Sequence, residues 1–442
     1  MNLTNWSDFE LSTKKIMKQN NIPGCAVAVS LGGEIIFQKG FGYRDLLTKQ
    51  PVTPETIFGI ASVTKSFTAL AILLLEEKGL LSVDDSVIEY LPEFKLCGVE
   101  DISQIKISHL LSHTTGLAPM FRREELNKFK EHLIYLSEKE YEMLGKPGEY
   151  FSYCNDTYLL LGAIIEKLTS KIYRRHMLEV VLNPLNMYHT TMNVEELEKY
   201  ENVTLPYKFN QYTNQFEEKP WPKLGNYEVG GGIRSTVLDL LSYGELYVNE
   251  GKELISYQTL QKMWTNLVSI KERTCYGYGF KVTDHYSNVT LVEHGGEQPG
   301  VSAHFGFIPE KRIVVAVLCN VSEAPAEKIW LNAVDTALGI ATEAFPRSEP
   351  ETKLSTEEIS KLIGTYDCSE GVKAKIFLDK NRLMMEVEDE VFSLRALSCD
   401  RLLIEDTEQT LQFHMKNNEK AWALLFGLRM LTRIKSWVPR YS

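Results

Sequence analysis

The chain has 442 residues, 44% of them hydrophobic and 24% charged, which is ordinary globular composition. Lys plus Arg number 48 against 59 Asp plus Glu, a net charge of −11. That acidic balance argues against nucleic acid as a partner and against a polybasic membrane contact. The longest apolar runs, Ala69 to Leu75 and Ile313 to Cys319, are too short to span a bilayer.

Residues 5–20 read as an amphipathic helix start, with Phe9, Leu11, Ile16 and Met17 spaced along it. Two apolar runs joined by Gly32-Gly33 then read as a β-hairpin. A turn-rich link, Pro51 to Thr56, leads to a very apolar helix headed by Ser62-Val63-Thr64-Lys65. From about Asp84 to Gly251 the pattern is helical with long loops; Ser235 to Val248 is one helix, and residues 201–227 read as an ordered loop. Strands return after Cys275, among them Val289 to His294, and Ser302 to Ile308 paired with Arg312 to Leu318 as a hairpin. Glu327 to Leu338 closes this part as a helix.

The expected fold class is α+β. One antiparallel sheet is built from both ends of residues 1–342 (1–82 and 252–342), flanked by helices, and an all-helical part (83–251) is inserted. The groove between the two parts is the expected site. Residues 343–360 read as a charged, Pro-bearing linker. In 361–442 six or more short alternating strands predict a small up-and-down antiparallel β-barrel.

Seven cysteines, an odd number, are scattered without a Cys-x-x-Cys pair. This predicts free thiols in a reducing compartment rather than a disulfide framework or a zinc site. No basic stretch precedes an apolar core near Met1, so the expected location is cytoplasmic, with secretion of a trimmed form left open.

Ser62 and Lys65 stand three apart, hence on one face of a helix about one turn apart. A lysine kept from water loses its proton more easily, which offers a route to an activated serine without histidine. Taken alone, the pair also reads as a capped core helix with a snorkelling lysine. Tyr153-Cys154-Asn155 follows a Pro147-Gly148 turn and precedes a long apolar helix. A tyrosine near an ammonium can lose its proton below the usual pKa of ~10 and then shuttle the serine proton. His294-Gly295-Gly296-Glu297 ends a strand, where glycines let backbone approach a ligand. The N–H groups of Ser62 and Glu297 are the candidate oxyanion hole. Gly230-Gly231-Gly232 reads as a flexible turn before the Ser235 helix.

In chain order these are Ser-x-x-Lys, Tyr-x-Asn and His-x-Gly on a late strand. With His109-Leu110-Leu111-Ser112-His113-Thr114-Thr115-Gly116-Leu117 and Pro147-Gly148-Glu149, residues 15–340 resemble the serine β-lactamase and penicillin-binding-protein superfamily. The resemblance is to its class C-like branch of esterases, D-aminopeptidases and carboxypeptidases. It implies a β-lactamase/transpeptidase-like fold and acyl transfer through an ester on Ser62, with Lys65 and Tyr153 as a coupled proton-handling pair. Asn155 would orient Lys65 and the substrate amide, His294 would polarise the site or touch substrate, and Gly295 and Gly296 would line it. No cofactor or metal is implied; His109 and His113 read as structural, without a third ligand.

Residues 361–442 resemble the lipocalin-like barrel of some peptidases in this branch, where it shapes the cleft and some members form closed homo-oligomers. His294 stands where lactamases carry the lysine of Lys-Thr-Gly, a permanent cation suited to a substrate carboxylate; histidine is mostly neutral at pH 7. An amide or ester substrate is therefore expected rather than a β-lactam, and the reading taken is a peptide amide, including those with D-amino acids. The alternatives are a carboxylesterase on small acyl esters and an acylatable penicillin-binding or sensor protein without turnover.

Overall fold

The computed structural model describes residues 6–265, 268–340, 351–388, 390–407, 409–416 and 419–434. The main sheet comprises β1 (Gly24–Leu31), β2 (Glu34–Asp45), β3 (Gln50–Pro51), β4 (Val268–Lys271), β5 (Thr274–Tyr276), β6 (Lys281–Tyr286), β7 (Val289–Gln298), β8 (Val301–Ile308) and β9 (Ile313–Cys319). Its order is β3-β2-β1-β9-β8-β7-β6-β5-β4, antiparallel throughout. The two ends of the 1–342 part meet at its centre, where Cys25 through Leu31 pair with Cys319 back through Ile313.

These central strands are apolar on both faces because helices cover both. Residues alternate across the pleat. Cys25, Val27 and Val29 pack with Phe9 and Ile16 of α1 (Trp6–Gln19) and with Ile329 and Trp330 of the last helix before the barrel, Ala326–Leu338. Ala26 and Ala28 face the opposite layer, formed by α2 (Thr64–Glu77) and a helix at Val237–Val248. α2 is buried from Thr64 to Leu75, so it reads as apolar all round rather than as one stripe. This anchors the serine turn: each fully buried Leu or Phe contributes about 1.5–3 kcal/mol.

The helical insertion matches the expected pattern in its main pieces, including α3 (Asn155–Thr169). The 201–227 stretch carries a small hairpin, Tyr207–Asn210 with Gln215–Glu218, not loop alone. The helix expected from Ser235 begins at Val237, where Thr236 Oγ1 accepts the Asp239 N–H at 3.0 Å.

The expected linker is corrected in part. Thr356–Leu362 is helical, opened by a Ser355/Glu358 capping box, and its Leu362 seals the barrel core; residues 343–350 lie outside those described. The barrel is a closed ring of eight strands, from Gly364–Asp367 through to Arg429–Arg433, which pair with each other. Tyr366, Ile376, Met385, Leu402, Phe413 and Leu431 help fill its interior, as expected for eight strands.

Candidate active site

Ser62 sits in a single 3-10 turn, Ala61–Val63, directly ahead of α2. Ala61 is in the left-handed region at φ 46°, a costly conformation for a non-glycine residue that the surrounding packing imposes. The turn is tied to the strand Arg234–Ser235 by the Ile60 N–H to Ile233 O bond at 3.0 Å, and Thr64 Oγ1 accepts the Ile233 N–H at 3.1 Å.

Lys65 is 1% exposed. Its Nζ lies 3.4 Å from Ser62 Oγ and donates to Asn155 Oδ1 at 2.9 Å and to Gly230 O at 3.1 Å. Burial first, then the charges of Arg122 and Arg429, hold its pKa well below the ordinary lysine value, with Glu370 opposing. A neutral amine has two N–H groups, and Asn155 and Gly230 take both, leaving the lone pair for the serine. Glycine at 230 leaves room for the amine: a Cβ there would fall 2.8 Å from Lys65 Nζ and would push it aside. The Gly230-Gly231-Gly232 stretch is thus not a mere turn. It lies at the end of a short helix, Glu228–Gly231, and supplies a carbonyl to the site.

Tyr153 packs its ring 4.8 Å from Lys65 Nζ, and its buried hydroxyl faces Ser62 without a well-formed hydrogen bond. Burial raises its pKa, only partly offset by Ser62 and the Arg429 charge. The expectation of a lowered tyrosine pKa is therefore corrected. Burial disfavours the charged form of both members of the pair, the ammonium of Lys65 and the phenolate of Tyr153. His113 supports Tyr153 from behind. Its ring centre is 4.1 Å away, its Nδ1 accepts the Cys154 N–H at 3.2 Å, and its carbonyl accepts the Ser152 N–H at 2.9 Å.

β7 passes alongside the serine turn. It leaves its pairing with β6 at Glu293, so from His294 onward it borders the cleft on that side. A Cβ at Gly296 would fall 2.2 Å from Ile60 O, so glycine there permits the approach. The Glu297 carboxylate is held by Ser302 Oγ at 2.9 Å and the Glu323 N–H at 3.3 Å. His294 is buried and its pKa is pushed down to about 3, chiefly by burial. Gly295 O, 2.5 Å from Nδ1, can only accept, so Nδ1 carries the proton and Nε2 accepts from the Tyr276 hydroxyl at 2.8 Å. Neither ring nitrogen can meet a substrate without giving up one of these bonds.

The cleft has a volume of about 630 Å³, with Ser62, Tyr153, Asn155, His294, Gly296 and Glu297 in its walls, and the barrel forms one side. The barrel turn at Gly427-Leu428 delivers Leu428 O to the Tyr153 N–H at 2.9 Å. Asn155 Nδ2 donates to Glu370 Oε1 at 3.2 Å, and Glu370 in turn pairs with Arg429, whose guanidinium lies 5.8 Å from the Tyr153 ring centre. An apolar cluster with Phe151, Tyr153, Ile270, Leu425 and Met430 seals the junction. Sequence reasoning missed Gly230, Arg122, Glu370 and Arg429. Gly230 stands in a Gly-Gly-Gly run that signals a turn rather than a site, and the other three carry no local pattern.

Near the cleft floor, Glu293, His304 and Glu327 bring ligand atoms within 4.8 Å of one another. Lys281 pairs with both carboxylates, so the protein itself answers their charge. Among the described residues no helix is long and apolar enough to cross a membrane.

An antiparallel sheet built from both ends of residues 1–342, a helical insertion and a serine-lysine turn between them define a β-lactamase-like serine acyl-transfer or penicillin-binding protein. The chain belongs to the β-lactamase family, whose model matches residues 10–338. It is 26% identical over 407 residues to penicillin-binding protein 4* of Bacillus subtilis (strain 168), covering 85% of this chain and 88% of that one. It is 35% identical over 334 residues to protein flp of Staphylococcus aureus (strain MW2), covering 74% of this chain and 66% of that one. The octameric penicillin-binding protein homologue from Pyrococcus abyssi superposes with a TM-score of 0.73 at 29% identity, covering 97% of this chain and 100% of that one. SurE gives 0.76 at 20% identity, covering 97% and 98%, a likeness of fold.

Proposed function

We propose that the protein is a serine hydrolase that cleaves amide bonds, including those of D-amino acids, through an acyl-enzyme on Ser62. The observation that carries this reading is the placement of the buried Lys65 amine, whose Nζ lies 3.4 Å from Ser62 Oγ and donates to Asn155 and Gly230, in surroundings that favour its neutral form. The Ser62 hydroxyl gives its proton to the Lys65 lone pair as Oγ bonds to the carbonyl carbon. The resulting oxyanion is held by the N–H groups of Ser62 and Glu297. Collapse breaks the C–N bond. The leaving amine takes a proton from the Tyr153 hydroxyl, which is resupplied from the Lys65 ammonium, so the pair returns to its neutral state. Water then repeats the sequence against the ester and releases the acid. Asn155 and His113 hold Lys65 and Tyr153 in place, and His294 with Tyr276 stiffens the wall.

Seven free cysteines support a reducing, cytoplasmic setting, and the octameric relative makes a homo-oligomer the assembly to test by light scattering. Intact mass spectrometry after a fluorophosphonate probe tests the nucleophile: one adduct on wild type and none on Ser62→Ala is expected. An unlabelled wild type, or a labelled mutant, overturns it. Comparing p-nitrophenyl acetate with D- and L-amino-acid amides separates peptidase from esterase. Labelling without turnover of either class would identify an acylatable binding protein instead.

A further inference from the structure

Arg122 stands at the cleft without a part in the proton transfers. It lies on the loop between the helices Ile107–Leu111 and Phe129–Glu138 and lines both the main cleft and a small recess beyond Ser62. Its guanidinium rests 4.7 Å from the centre of the Tyr227 ring. That ring is itself fixed: the Arg123 N–H donates to its hydroxyl at 2.9 Å, and the hydroxyl donates to Asp156 Oδ1 at 2.6 Å. Tyr227 and Asp156 are buried, at 3% and 1% exposure. The cation therefore rides on a rigid aromatic platform, which pre-organises a guanidinium that would otherwise swing through many rotamers.

Its donors are only partly used. One terminal nitrogen pairs with Glu124 at 2.8 Å on the exposed rim, while Nε is buried with no hydrogen-bond partner among the described residues. The other charged groups nearby are already committed. Arg429 is paired with Glu370, and Lys281 with Glu293 and Glu327. The opposite wall presents His294, with both ring nitrogens engaged.

We propose that Arg122 is the anion-recognition residue of this cleft, taking a carboxylate that the substrate carries beside the bond attacked by Ser62. The proposal rests on the hydrolase reading and adds a substrate class to it: acyl donors with a free carboxylate on the acyl or the leaving side. A guanidinium matches a carboxylate with two parallel N–H···O bonds, and such charge-assisted pairs are stronger than neutral ones.

The test compares kcat/KM within two matched ester pairs: phenyl acetate against 3-carboxyphenyl acetate, and p-nitrophenyl acetate against mono-p-nitrophenyl glutarate. Wild type, Arg122→Gln, Arg122→Lys and Ser62→Ala are each measured at low and high salt. Wild type should favour the carboxylated member of at least one pair by about tenfold or more. That ratio should collapse in Arg122→Gln, persist in part in Arg122→Lys, and shrink with salt. A wild type with no charge preference, or a preference that survives in Arg122→Gln, overturns the assignment. Ser62-dependent turnover without charge preference leaves the hydrolase reading standing, whereas no Ser62-dependent turnover of any ester overturns both.

Discussion

Asn155 joins the two halves of the protein: its Oδ1 accepts from Lys65 Nζ at 2.9 Å, and its Nδ2 donates to Glu370 Oε1 of the barrel at 3.2 Å. Reversing the amide would set donor against donor and acceptor against acceptor, so the two contacts fix its orientation together. The barrel is therefore linked to Lys65 through one side chain. Glu370→Ala should leave Arg429 without its partner and Asn155 without its anchor. The expected loss is about 1–3 kcal/mol in denaturant unfolding, with slower fluorophosphonate labelling of Ser62. Unchanged labelling would mean that the barrel contact is packing alone.

The amine of Lys65 is expected to control the acid side of the pH profile. Its folded pKa lies well below the ordinary value, so kcat/KM should rise through a single ionisation far below pH 10 and flatten above it. Arg122 and Arg429 both depress that pKa, so Arg122→Gln should move the ionisation to higher pH. The same shift affects stability. Between its folded pKa and the unfolded value of ~10.4, the unfolded chain binds the extra proton, so stability rises with pH in that window. Lys65→Met should flatten this slope in urea unfolding measured from pH 7 to 10. A slope equal to wild type would place the charge of Lys65 elsewhere.

Tyr153→Phe removes a hydroxyl that is buried without a well-formed hydrogen bond, so stability should change by less than about 1 kcal/mol. Acylation should nevertheless fall by about 10²–10⁴-fold, the usual worth of a positioned acid-base group. Stopped-flow release of p-nitrophenol from p-nitrophenyl acetate reads this directly. A burst rate within twofold of wild type would remove Tyr153 from the mechanism.

His113→Phe keeps the stack on Tyr153 but deletes the acceptor for the Cys154 N–H. Leaving that buried donor unpaired should cost about 1–3 kcal/mol. His113→Asn, which keeps an acceptor, should recover part of the stability and less of the rate, because the ring that backs Tyr153 is gone.

At Gly296 the constraint is steric. Alanine would place its Cβ 2.2 Å from Ile60 O, so β7 or the serine turn must move. The expected cost is about 1–3 kcal/mol, together with loss of Ser62 labelling. Gly295→Ala is the control. Its nearest neighbour, at 3.5 Å, is a His304 ring atom, so labelling should persist.

Ser62, Lys65, Tyr153 and Asn155 could be nominated from the sequence because their chemistry depends on local spacing. Three residues along a helix set the serine beside the lysine, and a turn before α3 presents Tyr153 and Asn155 together. The central strands could be read because their apolar runs are continuous, and the barrel because its short strands alternate. The barrel's first strand carries little of that signal. Gly364–Asp367 is a four-residue strand with one buried side chain, Tyr366, too short for alternation to register.

The sequence by itself determined the layered sheet, the buried helix that anchors Ser62 and the residue types around it, because periodicity and side-chain chemistry are local properties. Tertiary structure alone decided the burial of the site groups and the walls of the cleft. Burial disfavours the charged forms of Lys65 and Tyr153, and it is set by segments far away in the chain. Gly230, Arg122, Glu370 and Arg429 come from four separate segments to Lys65, the cleft wall, Asn155 and Tyr153. Only the folded chain brings together side chains whose sequence separation carries no signal.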